Sequence, residues 1–170
     1  LVAGADTTLL GSNGAFSSVN TGLGDDLVDL RYSNLSNVNL DTGLGRDQLF
    51  LIDASNSNLS SGDDTDRIEI AVGGLIRNSS LSCGAGEDTV ILRGSLQNTA
   101  IDTGSGNDQV IGTDTEELSD SEINCGDGND ILSMAAITNS DIQTGDGNDQ
   151  VSCSLLGSNR IMPVSYTHLR

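Results

Sequence analysis

The sequence is poor in the residues that build basic surfaces and large aromatic cores. It contains no Lys and no Trp, one His, one Pro and four aromatic residues in 170 positions. Only seven basic residues, all Arg, stand against 25 acidic ones, so the formal net charge is −18. Such a charge repels phosphate backbones and anionic lipids, which excludes nucleic acid and membrane surfaces as partners. No segment approaches the ~18 apolar residues of a membrane helix, so we predict no membrane span.

The scarcity of aromatic residues also limits how a core can be built, because aromatic side chains normally supply much of the buried area. The 21 glycines, in contrast, far exceed the usual share of about 7%. A composition rich in Gly, Ser, Asn and Asp is shared by disordered chains. Regular order along the chain therefore has to decide whether a core of Val, Ile and Leu layers exists.

That order is an internal repeat. Related segments begin at seven places, among them TGLGDDLVDL at Thr21, CGAGEDTVIL at Cys83 and TGDGNDQVSC at Thr144. The first glycines are spaced by 19 to 22 residues, a period typical of solenoids. The turn glycines of the seven copies are Gly22 and Gly24, Gly43 and Gly45, Gly62 alone, Gly84 and Gly86, Gly104 and Gly106, Gly126 and Gly128, and Gly145 and Gly147. The third copy has Asp64 in place of its second glycine.

Alignment of the copies produces invariant columns. Four residues after the first glycine, every copy has an Asp: Asp26, Asp47, Asp66, Asp88, Asp108, Asp130 and Asp149. We call these residues the Asp column, and Asp6 occupies the same register ahead of the first full copy. Two residues further on, each copy has Val, Ile or Leu. Three residues before the glycine, Val, Leu or Ile also recurs without exception.

These columns predict an all-β parallel β-solenoid (a β-roll or β-helix) of about eight coils, with two short strands per coil. The residues that flank each G-x-G-x-D turn alternate apolar and polar, as half-buried strands do. The array covers residues 1–162, as a fragment of a longer array whose neighbouring repeats would be its partners. Residues 163–170 hold the only Pro and the only His and read as a non-repeat, foreign tail. A helix over residues 113–123, where Thr113 and Glu116 match a capping box, is the competing local interpretation, but a two-residue loop insertion in the 22-residue spacing explains the segment better.

Stacking places the carboxylates of the Asp column about 4.8 Å apart, and like charges at that spacing repel by about 1 kcal/mol even in water. A cation would relieve this repulsion. Calcium suits an all-oxygen site, because an ion midway between two turns lies near its preferred 2.3–2.6 Å from both. Turn carbonyls freed by the glycines would complete the shell. Eight Asp levels, including Asp6, then allow at most seven calcium ions. Zinc is disfavoured, since the array holds no His and its cysteines lie far apart.

The motifs GAGEDTVIL, GSGNDQVIG, GDGNDILSM and GDGNDQVSC resemble the G-G-x-G-x-D-x-U-x repeats of haemolysin-type calcium-binding (RTX) proteins. The resemblance covers residues 2–162. It implies calcium between successive turns, bound by the Asp column, and a secreted bacterial protein exported by type I machinery. This chain differs from the family in two ways: Thr, Ser or Cys replaces the first glycine, and the motif occurs once per ~20 residues.

Two other columns have structural interpretations. Asn recurs six residues before the first glycine, at Asn37, Asn56, Asn78, Asn98 and Asn139, with Phe16 and Asp120 as exceptions. We expect amide ladders of these residues to hold the edge opposite the Asp column. Cys83 and Cys125 share a column two coils apart, about 10 Å, which is too far for a disulfide. With Cys153 they are expected to be buried thiols.

Other functions remain open. The Asp column could cap turns through backbone hydrogen bonds in a metal-free solenoid that serves as an adhesive, ice-binding or ligand-binding surface. A cell-surface or polysaccharide partner is not identified by the sequence. Parallel β-helices also include polysaccharide-active enzymes, but those need a cluster of acids, bases and aromatics that breaks the repeat. No such break is found here, so we expect no enzyme.

Overall fold

A computed structural model describes residues 2–3, 7–9, 18–112 and 117–163 of the chain. Within those residues every regular element is a β-strand, and two parallel sheets stack coil upon coil as a β-solenoid of about seven turns. The predicted all-β solenoid is thereby confirmed. The described residues contain no helix, and hence none long and apolar enough to cross a membrane.

Each coil contributes strands to both sheets. The first sheet has nine strands: β1 (Val2–Ala3), β3 (Ser18–Leu23), β5 (Asn39–Leu44), β7 (Asn58–Ser60), β9 (Ser80–Ser82), β12 (Ala100–Asp102), β15 (Glu122–Asn124), β17 (Asp141–Gly145) and β19 (Arg160–Pro163). The second sheet contains β2 (Thr7–Leu9), β4 (Leu27–Ser36), β6 (Gln48–Ser55), β8 (Arg67–Arg77), β10 (Thr89–Leu92), β11 (Ser95–Gln97), β13 (Gln109–Gly112), β14 (Glu117–Ser119), β16 (Ile131–Thr138) and β18 (Gln150–Leu156).

The strand register reproduces the columns of the sequence. In the first sheet Leu81 of β9 pairs with Ile101 of β12, and in the second sheet Val90 of β10 pairs with Val110 of β13. The turns also stack, through single parallel bridges such as Ala85 with Ser105. Equivalent positions of successive coils are therefore direct neighbours across a strand pair.

The core consists of stacked aliphatic layers between the two sheets. The column that follows the Asp column is buried at every level, including Val28, Ile68 and Val151. The column that lies three residues before the first glycine is also buried, from Leu40 to Ile142. Since parallel strands stack the same residue type at each level, Val, Ile and Leu fill the interior without large aromatic rings.

The segment with a competing helical pattern is extended. Residues Glu117–Ser119 form β14 and Glu122–Asn124 form β15, and each pairs with the equivalent strand of its neighbouring coils. Thr113 and Glu116 of the capping-box match lie outside the described residues. For the described part, tertiary stacking of the repeat prevails over the local helical pattern.

The edge opposite the Asp column is held differently from our expectation. Its Asn residues adopt left-handed backbone, with φ between 48° and 57°, and Asp120 does the same at 50°. Only one amide contact within this column is found in the described residues, from Asn98 Nδ2 to Asn78 Oδ1 at 2.8 Å. The hydroxyl of the residue that follows forms the ladder instead: Ser140 Oγ accepts the Ser121 N–H at 3.0 Å and donates to the Thr138 carbonyl. Asn supplies the backbone angle there, because it tolerates left-handed backbone better than most residues.

Candidate functional site

The Asp column lies at the G-x-G-x-D edge, where each turn leads into a strand of the second sheet. The seven described members stack in order, as the sequence predicts, whereas Asp6 lies outside the described residues. All seven are buried, with only 1–3% of their surface exposed. The carboxylates therefore point into the solenoid and not into solvent.

One oxygen of each carboxylate is used between coils. The backbone N–H of Asp88 donates to Asp108 Oδ1 at 2.8 Å, and the N–H of Asp108 donates to Asp130 Oδ1 at 2.8 Å. The same bond joins every successive pair from Asp26 to Asp149, with distances of 2.7 to 3.1 Å. Hydrogen bonds to a charged acceptor are stronger than neutral ones, so this ladder stabilises the stack of turns.

The second oxygen is left unsatisfied. Oδ2 is buried without a hydrogen-bond partner in six consecutive members of the column: Asp47, Asp66, Asp88, Asp108, Asp130 and Asp149. Burying a polar atom without a partner costs about 1–3 kcal/mol, and more for a charged group. The ion pairs found in the described residues lie away from these Oδ2 atoms. Arg31 pairs with Asp29, and Arg67 and Arg93 both pair with Glu69. When ionised, the column holds buried negative charge that a proton or a cation would neutralise.

The turn glycines interlock directly from coil to coil. Gly106 has φ of 134°, and a Cβ placed on it would lie 1.4 Å from the Gly86 carbonyl oxygen. First-glycine carbonyls accept backbone N–H groups of the next turn, as Gly104 does from Asp127 at 3.0 Å. We expected carbonyls of these turns to face an ion, but those of the first glycines are committed to the next coil. Asp64 adopts φ of 81° in the glycine position, so the third turn survives the substitution as predicted.

Burial dominates the electrostatics of the site. Burial, together with the charge of neighbouring carboxylates of the column, raises the pKa of Asp66 and of Asp88 to about 7 and that of Asp130 to about 6. Burial also raises the pKa of Asp47 and Asp108. The backbone N–H bonds act in the opposite direction, because they stabilise the carboxylate, and so do the hydroxyls of Thr42 at Asp47, Ser61 at Asp66 and Thr103 at Asp108. The balance leaves protonation accessible near neutral pH.

The small residues before the first glycine form a second interior ladder. The Thr42 hydroxyl donates to the Ser61 carbonyl at 2.7 Å, and the Thr103 hydroxyl donates to the Cys125 carbonyl at 2.8 Å. Cys83 and Cys125 stand in this column and are buried and free, as expected, and Cys153 is free and half-buried. Burial raises the pKa of Cys125 to about 12, which keeps its thiol protonated and unreactive.

An exposed amide ladder beside the Asp column was missed by the sequence reasoning. Asn129 donates its side-chain N–H to Asn107 Oδ1 at 3.0 Å, and Asn148 donates to Asn129 Oδ1 at 3.2 Å. These residues immediately precede Asp108, Asp130 and Asp149 in three consecutive G-x-G-N-D turns. The repeated Asn-Asp pair in these turns could therefore have predicted the amide ladder from the sequence.

A metal at this edge would rely on few carboxylates. Across the described part of the chain, no three His, Cys, Asp or Glu side chains come together in a group that could hold a metal ion. The unsatisfied Oδ2 atoms nevertheless fit calcium, which takes carboxylate, carbonyl and water oxygens.

The fold and this site define a parallel β-solenoid with a buried carboxylate column. In comparisons with known proteins, no family model, curated protein or solved structure matches the chain.

Proposed function

We propose that this chain is a calcium-binding structural repeat module in which calcium neutralises the Asp column. The observation that carries the proposal is the run of six buried carboxylate oxygens without hydrogen-bond partners, from Asp47 to Asp149. A divalent cation adds two positive charges where burial and like charge both oppose the ionised form. At most seven ions would bind if Asp6 takes part.

Two further features support this proposal. The G-x-G-x-D turns resemble RTX repeats, whose calcium sites use the equivalent Asp. The column is also regular over seven levels, so each ion would stabilise two neighbouring coils and uptake would be cooperative. In the same proposal the module belongs to a secreted bacterial protein exported by type I machinery, and it has a structural and not a catalytic role.

A metal-free structural solenoid is the second candidate, because the carboxylates of the Asp column already have hydrogen-bond donors within the fold. Each described carboxylate from Asp47 to Asp149 already accepts a backbone N–H from the preceding coil, and the turns are hydrogen-bonded directly to one another. In that case the column would serve as a turn ladder, and protons would neutralise it.

The variant Asp108→Asn separates the two candidates. Asn keeps an oxygen that can accept the Asp88 N–H but removes the charge at one level of the column. If calcium binds the column, titration calorimetry at pH 7.5 should show several ions bound to the wild type and one or two fewer to Asp108→Asn. The matched control is Asp141→Asn, which removes an exposed carboxylate of β17 and should bind as many ions as the wild type.

Two results would favour the metal-free solenoid. One is the absence of calcium uptake by the wild-type chain. The other is uptake that is equal in Asp108→Asn and Asp141→Asn, which would place the ions at surface carboxylates away from the column.

A further inference from the structure

The second sheet bends once in each coil, and the bends differ in length. Within β8 the bend has four residues, 71–74, whereas Ile52 alone occupies the equivalent place in β6 of the preceding coil. In the following coil only two residues, Arg93 and Gly94, lie at the bend. Residues 71–74, which we call the Val72 loop, therefore stand out from the bends on both sides.

The tip of this loop is apolar and open to solvent. Val72 is 73% exposed, and a Cβ on Gly73 would meet nothing within 4 Å. Tyr32, at the bend of β4 two coils away, is 76% exposed, and no other large apolar or aromatic side chain among the described residues is as exposed as these two. Clustered exposed apolar side chains of this kind mark interaction sites.

A hollow lies directly beside the Val72 loop, well inside the continuous described range 18–112. It has a volume of about 420 Å³ and is formed where the shorter bend of the next coil leaves space, with Leu75, Gly74, Gly94 and Arg93 among its lining residues. Val72 itself lines the hollow from one side. A projecting apolar side chain and a cavity open to solvent are thus neighbours on one surface.

The outer face of the second sheet, with its bends, is also formally neutral. In the described residues it carries equal numbers of basic and acidic side chains: Arg31, Arg67, Arg77 and Arg93, and Asp29, Asp53, Glu69 and Glu117. Elsewhere in the described part of the chain, outside the buried Asp column, eleven acidic residues stand against two Arg. Two copies of the chain therefore meet the least repulsion at the outer face of the second sheet.

The charges of this face are largely paired with one another. Arg67 and Arg93 both pair with Glu69, and Arg31 lies over the ring of Phe50, with 4.8 Å from its guanidinium carbon to the ring centroid. Paired charges do not select an ionic ligand, whereas apolar groups and guanidinium planes pack well against a similar surface. The face fits a neutral, partly apolar partner surface such as its own copy.

We propose that the outer face of the second sheet forms a two-fold dimer with a second copy of this chain, in which each Val72 loop packs into the hollow of the other copy. Because loop and hollow lie side by side, a two-fold axis between them satisfies both at once, as an isologous contact requires. The contact uses no residue of the Asp column, so it is independent of calcium.

Net charge sets the conditions for dimerisation. Two chains of −18 repel each other at long range, and salt shortens the range of that repulsion. The contact itself buries a neutral face. Dimerisation should therefore strengthen as salt is raised.

Sedimentation velocity of the full chain, under reducing conditions in which circular dichroism reports a folded chain, tests the proposal. We expect monomers to convert to dimers between about 10 µM and about 1 mM, at lower concentration in about 0.5 M salt than in dilute buffer. No larger species should form, because a two-fold contact closes.

Variants of Val72 locate the contact. Val72→Asp and Val72→Arg each place a charge in the partner's hollow, so both should weaken dimerisation by about 30-fold or more. Their melting temperatures should match the wild type, since the side chain is exposed in the monomer. If net charge alone controlled association, Val72→Arg would strengthen it. Ala100→Asp, at an exposed position of β12 in the first sheet, is the matched control and should dimerise nearly as the wild type does.

Three results would overturn the proposal. A wild type that stays monomeric at every concentration and salt would leave this face to a partner of different chemistry. Growth beyond dimers would show that the contact is not two-fold. Dimerisation of both Val72→Asp and Val72→Arg at the wild-type concentration would place the contact elsewhere on the chain.

Discussion

Replacement of Gly106 by Ala should cost about 3–6 kcal/mol of unfolding free energy, the largest single-residue effect that we expect in this chain. At φ of 134° an L-residue is strained, and the new Cβ would lie 1.4 Å from the Gly86 carbonyl oxygen. That oxygen belongs to the backbone of the neighbouring turn, so it cannot move without breaking the stack. Denaturant unfolding followed by circular dichroism measures the loss.

Gly73→Ala is the matched control for this prediction. Gly73 also has positive φ, 76°, but a Cβ there would meet nothing within 4 Å. Its replacement should cost only about 1 kcal/mol, from backbone strain alone. Equal losses for the two variants would show that coil-to-coil contact at the turn glycines does not determine stability.

Without metal, the chain should become less stable as pH rises from 5 to 8. Burial raises the pKa of Asp66 and Asp88 to about 7 and that of Asp130 to about 6, whereas an unfolded Asp titrates near 3.9. Between these values the folded chain binds more protons than the unfolded chain. The stability that these groups contribute is therefore fully present below about pH 4 and is lost as pH rises through 6 to 7.

Thermal melts in the presence of a chelator check this dependence. We expect the melting temperature to fall by about 10 °C between pH 5 and pH 8, since several partly coupled groups lose protons. Asp88→Asn should flatten the dependence, and Asp141→Asn, which changes an exposed carboxylate, should leave it unaltered. A melting temperature that stays constant or rises with pH would contradict the account of a buried, uncompensated column.

Much of the fold could be predicted from the sequence because every coil repeats the same order of apolar, glycine and Asp positions. The alternation around Val90, Val110 and Leu132 indicated strands and a buried column, and stacking of identical positions follows from a fixed period. For residues 113–123 the 22-residue spacing favoured a two-residue loop insertion over a helix, and Glu117–Ser119 is indeed not helical, but its strand was not predicted.

The direction of the Asp side chains was not predictable. A column of Asp at a turn is compatible with carboxylates that face an ion or that accept a backbone N–H, and the sequence does not distinguish the two. The hydroxyl ladder through Ser121 and Ser140 was missed for a similar reason, because the recurrent Asn beside it predicted a ladder of side-chain amides. In both places the choice depends on which donor comes within reach after the coils stack.

We propose that calcium relieves the buried charge of the Asp column. The most direct measurement is the melting temperature of the full chain at pH 7.5, followed by circular dichroism with chelator, with millimolar calcium and with millimolar magnesium. We predict a rise of more than about 10 °C with calcium, since each bound ion adds RT ln(1 + [L]/Kd). Magnesium should have little effect, because it demands shorter bonds and gives up water reluctantly. Identical melting temperatures in all three conditions would contradict calcium binding at the Asp column.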